Sequence, residues 1–169
     1  MTLIAAVPVE PRARWRSPAA LVCDAVGTLV DARGAILDAG SADALERARA
    51  AGLFVAVVHD GWPMTSRRLR DAVGPVDLVA VPCPDERTAS RRDEVRPHFV
   101  RRTCRCLGVE PASCVVIGGR RPLLVAAAWA GARTVMVPND VTPLFDLRGQ
   151  CLAPDIATAI AAILDGVRT

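Results

Sequence analysis

Short apolar runs alternate with polar, helix-patterned segments along the chain. AALVC (19–23) is the first apolar run, compact enough for a strand buried on both faces. It ends at Asp24 and is followed by the turn-like Gly27-Thr28. A second turn signal at Asp31–Gly34 predicts a small hairpin over 28–37. SADALERARAAG (41–52) predicts a helix capped by Ser41, with Asp43 and Glu46 early, Arg47 and Arg49 late, and Gly52 as the stop. LFVAVVH (53–59) reads as a second strand, 63–73 as a helix, and VDLVAVP (76–82) as a third strand. From 84 to 96 no apolar period is visible, which predicts a long loop with at most a helical turn. A helix over 97–107 closes at Gly108; SCVVIGG (113–119) is a fourth strand, 123–132 a buried helix, TVMVP (134–138) a fifth strand and 154–164 a final helix.

This alternation predicts an α/β fold, a Rossmann-like three-layer sandwich around a central parallel sheet of about five strands. The 169 residues suit one domain, 19–169, behind an irregular N-terminal arm, 1–18. Ligands of such sheets bind beyond the carboxyl ends of the strands, which singles out Asp24, His59, Pro82 and Gly118-Gly119.

Composition narrows the chemistry. Hydrophobic residues make up 51% of the chain, so a sizeable core is available, and a net charge of +3 is too mild to argue for nucleic acid. The arginine-rich stretch 87–102 is diluted by Asp85, Glu86, Asp93 and Glu94 and lacks interleaved aromatics, so it reads as a solvated face. The basic side chains are all arginine, which excludes any mechanism that needs a lysine ammonium from this chain, and tyrosine is absent as well. Six cysteines without a C-x-x-C pair, and only His59 and His98 beside them, predict no structural zinc site. Cys23 and Cys114 lie in apolar runs and read as buried small hydrophobes; Cys104 and Cys106, two apart on a helix, should diverge. The first residues do not have the order of a signal peptide and no run is long enough to span a membrane, which points to a cytoplasmic protein with reduced thiols.

Asp24 ends a strand, where its carboxylate either enters the ligand crevice or bonds its own turn. His59 either pairs with it for acid/base work or bonds backbone. Arg120 and Arg121 stand where a helix begins at Pro122, a place that disfavours cations, so a pairing or anion-binding role competes with plain exposure. Cys83 and Trp62 border the same crevice.

ALVCDAVGTLVD resembles the first motif of the haloacid dehalogenase superfamily, and AGLFVAVVHDG resembles the second. RPHFVRRTCRCLGVEPASCVVIGGRRPLLVAAAWAGARTVMVP is similar to the stretch from the third motif through the fourth, and LAPDIATAIAAIL echoes the family's ending. The resemblance covers 19–165 and leaves no room for a cap domain at either usual insertion point. It implies hydrolase ancestry, with Asp24 as nucleophile and Gly27 and Thr28 in its turn. It also implies losses. The acid/base aspartate is Val26, the second-motif hydroxyl is His59, and the two magnesium acids of the fourth motif are Gly119 and Leu123. Glu94 or Arg96 stands in the slot of the third-motif lysine. Asp24 alone, beside Arg120 and Arg121, is a poor magnesium site, so no metal or other cofactor is expected.

Taken together, the departures predict weak or absent magnesium-dependent phosphatase activity and a binding or interaction role toward an anionic small molecule or a protein, with homo-oligomerisation compatible. The alternative is a metal-independent enzyme in which Asp24, Thr28 and His59 do the chemistry, and Gly27, Asp60, Arg96, Gly119, Arg120 and Arg121 bind the ligand. A third reading keeps a slow phosphatase with acids such as Asp60 or Asp140 as metal ligands.

Overall fold

The computed structural model describes residues 18–31, 33–59, 65–88, 91–139, 142–143 and 151–167, without the side chains of 87, 88, 91–95 and 167. The predicted arm therefore lies almost wholly outside the described residues, as do Asp60, Trp62 and Asp140.

The five apolar runs form one parallel sheet. Its strands are β1 (Ala20–Asp24), β2 (Phe54–Val58), β3 (Leu78–Ala80), β6 (Cys114–Gly118) and β7 (Arg133–Met136), in the order β3-β2-β1-β6-β7. β1 is central and buried along its whole length, in register Ala20↔Phe54 and Ala20↔Cys114. Its alternate side chains serve two cores. Leu21 and Cys23 face helices α1 (Gly40–Ala50), α2 (Ser66–Val73) and α5 (Ile156–Val167). Ala20 and Val22 face α3 (Pro97–Cys106) and α4 (Arg121–Ala130). Helices thus cover both faces, as an all-parallel sheet requires. No helix among the described residues is long and apolar enough to cross a membrane.

Three local expectations change. The segment read as a loop carries a 3-10 turn, Pro84–Glu86, and a hairpin of β4 (Arg87–Thr88) and β5 (Arg91–Val95). Ser41 does not cap α1: the helix starts at Gly40, no side chain caps it, and Ser41 is buried inside its first turn. The helix expected to be buried, α4, is two-faced, with Leu123, Leu124, Ala126 and Ala127 inside and Trp129 76% exposed. The predicted divergence of Cys104 and Cys106 holds, the first being buried and the second exposed.

The loop after β3 is fixed by a buried ion pair. Glu86 takes a fork from Arg102, Nε to Oε1 at 2.6 Å and Nη2 to Oε2 at 2.8 Å, and accepts the Cys83 amide at 2.8 Å. Arg102 also donates to the Val81 carbonyl at 2.9 Å, so α3 grips the chain where it leaves β3. The Arg102 fork holds the Glu86 carboxyl below the usual carboxylate range against the opposing effect of burial, and the Cys83 amide adds to it. A depressed pKa contributes stability that is present above the ordinary carboxylate value and is lost as pH falls through the folded one. The stability gap between wild type and Glu86→Gln should therefore be widest at neutral pH and close below about pH 4 in urea melts run across pH.

Candidate functional site

Asp24 sits at the carboxyl end of the central strand, 1% exposed, and the chain turns sharply behind it. The amides of Leu29 and Val30 both return to the Ala25 carbonyl, and the Gly27 amide bonds the Val30 carbonyl. Gly27 has a φ of 79°, which favours glycine, and a Cβ there would lie 2.8 Å from Asn139 Nδ2. Thr28, buried in the same turn, reaches across to the end of β6, where its Oγ1 accepts the Gly119 amide at 2.8 Å.

Arg120 follows as the residue that caps α4. Its Nε donates to Asp24 Oδ2 at 3.1 Å and its Nη2 to Oδ1 at 3.3 Å. The guanidinium thus spans both carboxylate oxygens, the planar arrangement that suits arginine. A cation at a helix N-terminus is disfavoured by the helix dipole; the buried carboxylate in front of it offsets that. Both carboxylate oxygens are thereby engaged by a donor.

A residue that sequence reasoning missed completes the floor. Asn139, just after β7, donates from Nδ2 to the Gly27 carbonyl at 2.7 Å. Its backbone amide bonds Thr142 Oγ1 at 2.9 Å, and the Thr142 hydroxyl lies 3.0 Å from the Gly119 carbonyl. Gly119 is thereby enclosed: a Cβ on it would lie 2.6 Å from Asn139 Nδ2, 3.0 Å from the Val137 carbonyl and 3.1 Å from the Gly27 carbonyl. The only available signal was a polar residue directly after the fifth strand.

The other sequence candidates are more dispersed. His59 is buried one residue past β2, with its amide on the Ala80 carbonyl and its Nε2 3.5 Å from Ser66 Oγ at the start of α2. Arg121 is exposed on the first turn of α4. Arg96 is exposed at the start of α3, its amide donating to the Glu86 carbonyl. Cys83 is exposed beyond β3, whereas burial, and then the charge of Asp24, push the Cys23 thiol up to about 12.

Among solved structures the chain is similar to a D,D-heptose 1.7-bisphosphate phosphatase from B. bronchiseptica complexed with magnesium and phosphate, with 22% identity, a TM-score of 0.63, and 86% of this chain and 98% of that chain covered. It is also similar to the cobalt-bound deoxy-D-mannose-octulosonate 8-phosphate phosphatase of Haemophilus influenzae, at 16% identity and a TM-score of 0.67 over 91% of each chain. A dehalogenase with an intermediate complex aligns at 14% identity and a TM-score of 0.64, over 91% of this chain and 99% of that one. The chain has the capless haloacid dehalogenase fold. Neither a protein-family model nor a curated protein sequence matches it.

The haloacid dehalogenase resemblance implies a divalent cation beside Asp24, and the described residues there, which do not include Asp60 and Asp140, do not fit one. Asp24 already carries the Arg120 fork. Val26 and Leu123 offer alkyl groups, and Leu123 is packed into the core under α4. Gly119 has neither a side chain nor space for one. Among the described residues no group of three His, Cys, Asp or Glu side chains converges to hold a metal ion. Magnesium needs several oxygen ligands with compensating negative charge, and a guanidinium in their midst repels it.

Proposed function

We propose that this haloacid dehalogenase-fold chain is a binding module of hydrolase ancestry and not a magnesium-dependent phosphatase. The observation that carries this reading is the Arg120 fork on Asp24, in which the protein's own cation neutralises the carboxylate. Phosphoryl transfer from a metal-bound ester needs Asp24 as an open nucleophile with a proton partner two residues on, and that partner is Val26. Binding needs neither. Arg121, exposed on the first turn of α4 beside the Arg120 fork, favours an anionic small molecule or an acidic protein surface.

A thermal-shift screen with magnesium, inorganic phosphate, small phosphoesters and carboxylates tests this, beside a phosphatase assay on p-nitrophenyl phosphate. The expected result is no magnesium-induced shift and no metal-dependent turnover, with any anion shift independent of metal. A magnesium shift or turnover that disappears in Asp24→Asn would restore the phosphatase reading.

A further inference from the structure

We propose that Cys104 and Cys114 form a buried dithiol that closes to an intramolecular disulfide when a peroxide reaches it. Their sulfurs lie 3.3 Å apart, one in the last turn of α3 and the other at the first residue of β6. Both side chains are fully buried in the core between the sheet and helices α3 and α4, so each has the other as its polar neighbour. The separation exceeds a disulfide bond by about 1.2 Å, a distance that side-chain rotation spans without remaking the fold. Once Cys104 is deprotonated, the Cys114 thiol hydrogen-bonds it, which pulls Cys104 below the ordinary thiol range and makes it the attacking sulfur.

Access follows from position. Cys104 lies two residues from the end of α3, where helices open most readily, and hydrogen peroxide is small enough to enter on such an opening. The Cys104 thiolate attacks one peroxide oxygen, the O–O bond breaks, and the departing hydroxide takes up the proton that Cys104 released on ionisation and leaves as water. The resulting sulfenic acid is then attacked by the Cys114 sulfur. The S–S bond forms, the S–O bond breaks, and a second water leaves with the Cys114 proton. Cys114, and not a distant thiol, is the resolving residue because it is already in contact. The bond would staple the end of α3 to β6, the strand that leads to Arg120.

The test uses the full chain with Cys83, Cys106 and Cys151 changed to serine, treated with hydrogen peroxide and then alkylated in denaturant. The expected result is a mass loss of about 2 Da, a Cys104–Cys114 peptide link, reversal by dithiothreitol and a raised melting temperature in the oxidised form. In Cys114→Ala on that background, Cys104 should instead be captured as sulfenic acid by dimedone. The proposal fails if both cysteines stay alkylatable at peroxide doses that fully oxidise Cys83 and Cys106 in the wild type. A Cys104–Cys23 link in the Cys114→Ala variant would overturn it too. Should the serine background not fold, differential alkylation of wild type reads the same two outcomes.

Discussion

Gly119→Asp, which introduces the acid that the haloacid dehalogenase resemblance places there, is expected to lower stability by about 3 kcal/mol and to create no magnesium site. The backbone at Gly119 does not demand glycine, since its φ lies outside the left-handed region; space does. The new Cβ would meet Asn139 Nδ2 at 2.6 Å and two backbone carbonyls at 3.0 and 3.1 Å. Asn139 can swing away, but it then gives up its bond to the Gly27 carbonyl, while the carbonyls of Val137 and Gly27 belong to the sheet end and its turn. Urea unfolding of Gly119→Asp, and of the same change with Asn139→Gly, separates these contributions. The second change should recover part of the loss and leave the rest to the backbone contacts. Full stability of Gly119→Asp, or a magnesium shift in its melting temperature, would show that the crevice floor is softer than its packing implies.

Arg120→Met should cost about 2 kcal/mol, measured in the same way. Removing one partner of a buried pair leaves an uncompensated charge, at about 3–5 kcal/mol when both groups are enclosed. Arg120 is 34% exposed, so water partly replaces it and the expected loss is smaller. Asp24→Asn should be milder, because the released guanidinium can turn to solvent. The double variant should then be more stable than the sum of the single losses predicts, by about 1 kcal/mol or more. Strict additivity would mean that the fork contributes nothing in solution, and with it would go the argument that Arg120 stands in for a cation.

The sheet was legible because its strands are compact apolar runs bounded by turns, which only a parallel sheet covered on both faces buries completely. AALVC and SCVVIGG announce their position without reference to any partner. The hairpin of β4 and β5 was not legible, because RRDEV carries no apolar alternation and its pairing is made by backbone. Ser41 misled for a related reason: a serine before a helical pattern signals a cap, but here the helix begins one residue earlier and buries it. At the site, Asp24 and Gly119 could be placed from strand ends and Gly27 and Thr28 from the turn signal after Asp24, while Arg120 and Arg121 were both candidates for pairing with Asp24. Asn139 and the pair of Glu86 with Arg102 were missed because their roles depend on contacts between distant segments. A polar residue that packs against a glycine 20 positions away leaves no periodicity to read. Likewise, a polar stretch that looks like a solvated face shows no sign that one of its carboxylates is buried.

The order of strands also bears on how the chain is made. β1 is flanked by β2, which follows it within the next 34 residues, and by β6, which begins at Cys114. During synthesis from the N-terminus, β1 and β2 can pair early, while the other edge of β1 stays unfilled until β6, which begins 90 residues after Asp24, has been added. Throughout that interval the nascent chain presents an apolar strand with unsatisfied backbone groups, and Asp24, at the end of that strand, still lacks Arg120. The buried carboxylate therefore remains hydrated until late, and sealing it coincides with the step that closes the sheet. A ribosome that stalls between β3 and β6 would leave an aggregation-prone half-sheet, which places the vulnerable stage of this protein's life before its release.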